Sequence, residues 1–410
     1  MKRNRKIVLS QFILFLALGS FLLLTACVTG PNLYSEKAEQ ASDHFDGVRY
    51  FNPDAPQMLS SPSGREAKRG PTWWVWKWIL RMDWPEWPKR NDFLPGPPPE
   101  ARAQKGSLYV TPVGHATFLI QLDGVNILTD PIWSERCSPV SWVGPKRFSE
   151  PGIRFEDLPA VDMVLVSHNH YDHFDIPTLK RLANRGMPRA IVPLGNRDLM
   201  RSTGIPTVDE LDWWQSVRLS SNVTITLVPA QHFSARTLWD RDRTLWGGFV
   251  ISGPSGNVYY SGDTGYGPHF REIARRFSPI RVAILPIAPF RPPQAKESNP
   301  GYRSVVHMGP AEAAKAHIDL GTPLSIAAHF QVFRLGIERF DDAVKVLVSS
   351  LKEQNLKPET FVAPLLGQAI KIPPVLEASL FPADEDYLIG LILGFPGASR
   401  SVIPEAFVRN

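Results

Sequence analysis

Cysteine is almost absent from this 410-residue chain, which has only Cys27 and Cys137. Two thiols cannot build a disulfide framework or a four-cysteine metal knuckle, so a small stapled fold and a Cys-based zinc module are excluded. Charge of one sign is also lacking. Four of the 45 bases (Lys2, Arg3, Arg5 and Lys6) precede residue 27 and no acid does, so residues 27–410 hold 41 bases against 40 acids. A body this close to neutral has no overall electrostatic reason to bind nucleic acid, and none is expected as a partner. At 43% hydrophobic and 21% charged residues, the chain is neither disordered nor fibrous. It is long enough for one large or two modest domains with a buried core. Proline is plentiful at 39, which predicts long, stiff loops between ordered elements.

An apolar run long enough to span a bilayer is missing as well. Phe12 to Leu24, broken by Gly19 and Ser20, would make a helix of about 20 Å against a ~30 Å hydrocarbon core. Bases ahead of it and small residues behind it read as a secretory signal over residues 1–26. Leu24-Thr25-Ala26-Cys27 resembles a bacterial lipobox, which implies cleavage before Cys27 and lipidation there. An uncleaved anchor helix is the other reading. Val28 rather than Asp follows the cysteine, so the resemblance implies a cell-envelope protein anchored in the outer membrane and facing the periplasm. With Cys27 lipidated no intrachain disulfide remains, and Cys137 is expected to be a small buried or loop residue.

Residues 27–100 read as a tether and an irregular extension, and within them 73–87 hold six of the twelve tryptophans. That run either packs over the following domain or forms a membrane-interface surface, and the two are compatible. Pro95, Pro97, Pro98 and Pro99 mark a linker. The pattern then changes, and residues 101–372 read as the main domain, with 373–410 an extension packed on it. Alternation over Thr117–Leu122 and Val125–Leu128 around Asp123-Gly124 predicts a hairpin, because both turn residues tolerate positive φ. Met163–Val166 is short and continuously apolar, as a strand buried on both faces would be. Asp175 is placed to cap the helix that follows, with Pro177 in its first turn and Gly186 just past its end. Further strands are predicted at 190–193, 223–228, 248–251, 258–260, 282–287 and 325–328, and helices at 196–202, 270–277, 310–320 and 341–354. Hairpins come first and helices are interspersed in both halves. This predicts an α/β (α+β) fold of two mixed sheets packed together with helices outside.

The chemistry concentrates in His168-Asn169-His170-Tyr171-Asp172-His173, directly after the buried strand. Residues two apart on extended backbone point the same way, so His168 and His170 can face one point, and Asp172 and His173, past the turn, a second. Imidazole and carboxylate are ligands for zinc and its neighbours. Downstream, His232, Asp263 and His329 each follow a predicted strand, and His307 stands just before the helix from Pro310. Polar residues just past strand ends gather on one rim of a sheet, where loops build sites.

This order of residues resembles the metallo-β-lactamase fold. Longer strings resemble its branch of N-acylphosphatidylethanolamine-hydrolysing phospholipases D: His168–Asp175, Ala230–Ser234, Asp240–Gly247, Ser261–Tyr266, His44–Pro53, Gly114–Phe118 and Thr129–Pro131. The likeness runs over roughly residues 43–330. It implies an αββα sandwich with two Zn2+ ions, Fe or Mn in one site being an alternative. His168, His170 and His232 would hold one ion, Asp172, His173 and His329 the other, and Asp263 would bridge. The same resemblance places His307 near a substrate phosphate, and His115 and Asp130 in the pocket or behind the ligands. Asp130 and Asp175 are the carboxylates expected to orient ligands. Arg291 and Arg303 are placed to meet anionic charge.

Phosphodiester cleavage in phospholipids at a membrane surface is the implied activity, with Asp172, Asp263 and His307 at its centre. A lactonase or other hydrolase on the same site, or a non-enzymatic envelope lipoprotein, are the alternatives. Oligomeric state is left open, a homodimer included. Departures from the branch fall at the pocket mouth. Ala288–Pro293 and Phe330–Phe333 differ from its usual strings, and an Asp-Glu-Pro-Pro segment is absent.

Overall fold

The computed structural model describes residues 42–54, 86–88, 94–237, 239–292 and 305–374. The signal segment with Cys27, most of the tether and Trp-rich run, Arg303 and all but the first two residues of the expected C-terminal extension lie outside the described residues. Among those described, no helix is long and apolar enough to cross a membrane.

Two seven-stranded sheets face each other. The first contains β1 (Leu108–Gly114), β2 (Thr117–Leu122), β3 (Val125–Thr129), β4 (Met163–Leu165), β5 (Arg189–Pro193), β6 (Val208–Leu211) and β14 (Ile370–Lys371). The second contains β7 (Ser216–Arg218), β8 (Thr224–Val228), β9 (Gly248–Gly253), β10 (Gly256–Tyr260), β11 (Ile280–Pro286), β12 (Ser325–Ala328) and β13 (Phe361–Val362). Strand orders are β14-β1-β2-β3-β4-β5-β6 and β13-β12-β11-β10-β9-β8-β7. Each sheet passes from three antiparallel pairings to three parallel ones. Parallel neighbours need a crossover, and helices supply most of them. These are α1 (Ile176–Gly186), α2 (Arg197–Arg201), α3 (His269–Phe277), α4 (Pro310–Leu320) and α5 (Asp342–Glu353).

The strand period explains the layers. Phe118, Ile120 and Ile127 point inward and meet Ile225, Phe249, Ile284 and Ile326 of the facing sheet. Leu119, Leu128 and Val164 point outward, against Leu179 and Leu182 of α1 and Met200 of α2. Tyr259, Ala283 and Leu285 face Phe270, Ala313 and Leu347 of the helices on the other side. Both faces of each sheet are therefore covered. Each fully buried Leu, Ile or Phe contributes roughly 1.5–3 kcal/mol of burial.

The expected hairpin is present. Asp123 and Gly124 sit at φ 49° and 86°, and Leu122 pairs with Val125. The predicted strands and helices appear with shifts of at most two residues at their ends, and 310–320 and 325–328 appear as predicted. The seven-residue β1, the short edge strands β6 and β7, and the two-residue β13 and β14 were not expected.

Two local expectations need correction. Asp175 occupies the N-cap of α1, but its side chain makes no capping bond. The carboxylate accepts from Ser134 N at 3.2 Å, Ser134 Oγ at 2.8 Å and Thr178 Oγ1. It therefore ties the loop after β3 to α1. Nor is Gly186 the left-handed stop: it is the last helical residue, and Met187 takes φ 45°.

Candidate metal centre

Strand ends deliver the site. β3 ends before Asp130, β4 before His168, β8 before His232, β10 before Asp263 and β12 before His329. His115 turns between β1 and β2 at φ 60°, beside a register shift at Pro112–Gly114. Past β4 the chain folds back on itself, with His173 N and Phe174 N both donating to His170 O, at 3.2 and 2.8 Å. Arg236 braces this turn, donating from Nη1 to Asn169 O at 2.8 Å and Phe174 O at 3.0 Å. Gly262, at φ 58°, lets the end of β10 approach β4, because a Cβ there would lie 2.5 Å from Ser167 Cβ.

The expected ligand residues come together. His168, His170 and His232 offer nitrogen atoms that lie within 4.8 Å of one another, and so do donor atoms of His115, Asp172, His173 and His329. His170 Nδ1 is 2.8 Å from His168 Nε2 and 3.3 Å from His232 Nε2. Asp263 Oδ2 lies between the two groups, 3.2 Å from His173 Nε2, 3.2 Å from His329 Nε2 and 3.8 Å from His232 Nε2. His307 Nδ1 is 3.6 Å from the same oxygen.

The donor set fits metal ions on a structural ground. His173 Nε2, His329 Nε2 and Asp263 Oδ1 are buried and make no hydrogen bond. Buried polar atoms are rarely left so. Here both imidazole nitrogens stand 3.2–3.4 Å from the Asp172 and Asp263 carboxylates without hydrogen-bond geometry, a spacing that groups around a shared ion can take.

Supporting bonds fix the rings from behind. Asp130, fully buried, accepts from His173 Nδ1 at 2.7 Å and Ser167 N at 2.7 Å, and also from Ser167 Oγ and Tyr260 OH. Ser167 Oγ in turn lies 2.9 Å from His168 Nδ1. One carboxylate thus orients a histidine of each group, the arrangement that sets tautomer and basicity in metal sites. His115 Nε2 lies 2.9 Å from Asp172 Oδ2, and His115 O accepts from His329 N at 2.9 Å. So His115 holds two members of the second group as well as standing within reach as a donor. Asp175, by contrast, bonds to Ser134 and Thr178, away from the ligand rings.

Electrostatics suit metal ligation. Burial, reinforced by neighbouring imidazoles, pushes His168 well below the usual histidine range, and burial lowers His170 to about 3. Burial also pushes His307 down to about 4. These rings are neutral at pH 7 and can donate lone pairs. Burial opposes ionisation of Asp172 and Asp263, but His173 and its neighbours outweigh it and hold both well below the usual carboxylate range. The same carboxylates outweigh burial at His329, pushed up to about 9, and raise His173 as well. Without an ion, those two rings balance the carboxylates with protons.

At the mouth, His170 and Asp172 are half-buried and His307 is 17% exposed. Phe233 stacks edge-on to His170 at 4.4 Å, and Arg241 covers Phe233 at 4.1 Å. Glu338 lies buried in the loop after β12, a residue that sequence pattern did not single out. Cys137 is buried in the loop after β3.

Known proteins share the sequence pattern and the fold. The β-lactamase superfamily domain profile matches residues 125–330. An uncharacterized protein of Mycobacterium tuberculosis is 36% identical over 371 residues, 87% of this chain and 92% of that one. An N-acyl-phosphatidylethanolamine-hydrolyzing phospholipase D of Caenorhabditis elegans is 34% identical over 278 residues, 64% of this chain and 76% of that one. Among solved structures, isothiocyanate hydrolase from Delia radicum gut bacteria superposes with a TM-score of 0.50 at 19% identity, covering 65% of this chain and 99% of that one. With the sandwich, the strand-end ligands and these likenesses together, the chain belongs to the metallo-β-lactamase superfamily.

Proposed function

We propose that this metal-dependent hydrolase of the metallo-β-lactamase fold cleaves phosphodiesters of phospholipids, with N-acylphosphatidylethanolamine as the substrate class. The observation that carries the reading is the paired ligand set joined by Asp263 Oδ2. Phospholipid specificity rests on the likeness to the C. elegans enzyme over 278 residues. In this reading His168, His170 and His232 hold one ion, Asp172, His173 and His329 the second, and Asp263 both. The metal is proposed to be zinc, given imidazole and carboxylate donors without thiolate. When bound, two such ions polarise a phosphoryl oxygen and acidify water for in-line displacement.

The chain's own groups do the rest. Asp130 and His115 keep His173 and Asp172 aimed inward, so the site is set before substrate arrives. His307, neutral at pH 7 and at the open side, is placed to donate a hydrogen bond to a phosphoryl oxygen. Phe233 and Arg241 at the mouth offer an apolar ring and a cation to an acyl chain and a phosphate. Cleavage at the distal P–O bond would yield phosphatidic acid and an N-acylethanolamine.

The test is incubation of the full, zinc-loaded chain in detergent with N-acylphosphatidylethanolamine, products read by mass spectrometry. Both products, lost in Asp263→Ala, support the reading. Turnover of lactones with none of this phospholipid would replace it. A lipid anchor at Cys27 and a membrane surface as partner are part of the same proposal, supported by the lipobox-like Leu24–Cys27. Mass spectrometry of the N-terminal peptide from the native host would read diacylglycerol there, and an unmodified Cys27 would remove that part.

A further inference from the structure

The string His44-Phe-Asp-Gly-Val-Arg-Tyr-Phe-Asn-Pro53 belongs to neither sheet, and the chemistry above makes no use of it. It forms a tight loop. Asp46 Oδ1 accepts from Val48 N at 2.8 Å and Arg49 N at 2.7 Å, and Phe45 bridges to Tyr50. The loop is then pinned at three places. His44 stacks on Trp213 at 3.9 Å, with Nε2 3.0 Å from Asp212 Oδ1. Tyr50 enters the inter-sheet core, and its N–H donates to Asp242 O at 2.8 Å.

The third place is Asn52, 7% exposed. Its Nδ2 donates to His232 O at 2.8 Å, and its Oδ1 accepts from His232 N at 3.2 Å. Trp246 Nε1 donates to that same Oδ1 at 3.2 Å and to Ala230 O at 2.9 Å. A carboxamide that both donates to and accepts from one residue's main chain copies the peptide of a neighbouring strand. The need for it is visible in the sheet. Pairing of β8 with β9 ends at Val228 and Gly248, four residues short of His232. Past that point the main chain of His232 is buried with no ladder to satisfy it, and such groups must be paired.

We propose that Asn52 is a positioning residue for the metal centre, holding the main chain of His232 so that its imidazole meets His168 and His170. The ring is then fixed independently: His232 Nδ1 lies 2.8 Å from Val306 O, which leaves Nε2 facing His170 and Asp263. Backbone from one side and ring from the other determine the ligand's direction. No other side chain of comparable size serves. Asn52→Asp would keep the acceptor but set a carboxylate against His232 O, and Asn52→Leu would offer neither bond.

This inference rests on the metal-ligand reading of His232 and is independent of the substrate. The test uses the full chain, with Zn2+ as the probe. Asn52→Asp and Asn52→Ala are compared with wild type by chelator competition for each of two binding steps, and by the visible spectrum of the Co2+-substituted protein. His44→Ala, which loosens the same loop without touching His232, is the control. Expected is roughly 10–100-fold weaker binding in one step only for both Asn52 variants, with an altered Co2+ spectrum, and wild-type binding in His44→Ala. Wild-type affinity in both steps in Asn52→Asp would overturn the proposal, even if the variant melts earlier. So would equal weakening in His44→Ala, which would make the loop a general brace. If Asn52→Ala does not fold, the near-isosteric Asn52→Asp decides alone. A wild-type chain that takes up no ion at His232 would instead refute the metal reading beneath it.

Discussion

Glu338 offers a quantitative test of how the site's rim is held. The carboxyl is 5% exposed, and its Oε2 is buried with no hydrogen-bond partner. Burial pushes its pKa from 4.5 up to about 7, against modest lowering by the amides of Glu338 and Phe290. Trp87 Nε1 donates to Glu338 O at 3.2 Å and packs edge-on against Phe148 and Phe340, so this residue lies where Trp87 meets the domain. The sign follows from linkage. Below pH 4.5 both folded and unfolded chains hold the proton and nothing changes. Between 4.5 and 7 only the folded chain holds it, so stability falls as pH rises. Above 7 the folded chain carries a buried charge at a cost of about 3 kcal/mol, at ~1.4 kcal/mol per unit. Glu338→Gln removes the titration while keeping the shape. Urea unfolding of both proteins at pH 5, 6, 7 and 8, in identical zinc-containing buffer, gives the difference in stability. The variant should gain on wild type by about 2.5 kcal/mol between pH 5 and pH 8. A difference that stays flat with pH would refute the buried-charge argument.

Other expectations follow from the same geometry. Asp130→Ala leaves His173 Nδ1, Ser167 and Tyr260 OH without their acceptor, and should cost roughly 3–5 kcal/mol of stability and 10–100-fold in metal affinity; calorimetric melting and chelator competition measure both. Gly262→Ala puts a Cβ against Ser167 at positive φ, and should cost about 1–3 kcal/mol and weaken metal binding through Asp263; a neutral substitution would show that β10 can shift freely. In the metal-free protein, His329 at about 9 and the raised His173 hold protons at pH 7. Zinc uptake should therefore release protons at pH 7, and fewer above pH 9, as titration calorimetry in buffers of different ionisation enthalpy would read.

Much of the site was legible because its chemistry is compressed into consecutive residues. His168 to His173 sit directly after β4, so strand period and turn alone bring four donors to one rim. Asp123-Gly124 was legible for a similar reason, since both residues must take positive φ whatever surrounds them. Long-range partners were not. Asn52 meets His232 across 180 positions, and nothing local marks an asparagine as a substitute strand. Arg236 reads as an exposed loop base until the turn it braces is folded. β6 and β7 are short, polar edge strands whose existence depends on a neighbour's free edge rather than on their own alternation. Asp175 shows a competition: its position in α1 favoured a cap, but Ser134 supplied a better donor pair from the loop after β3.

The most direct measurement is the metal content of the purified full chain, by elemental analysis, beside Asp263→Ala. The paired ligand sets lead to two ions per wild-type chain, and to weak, substoichiometric binding once the carboxylate between them is removed. One ion or none in the wild type, or two tightly held ions in Asp263→Ala, would contradict the shared centre.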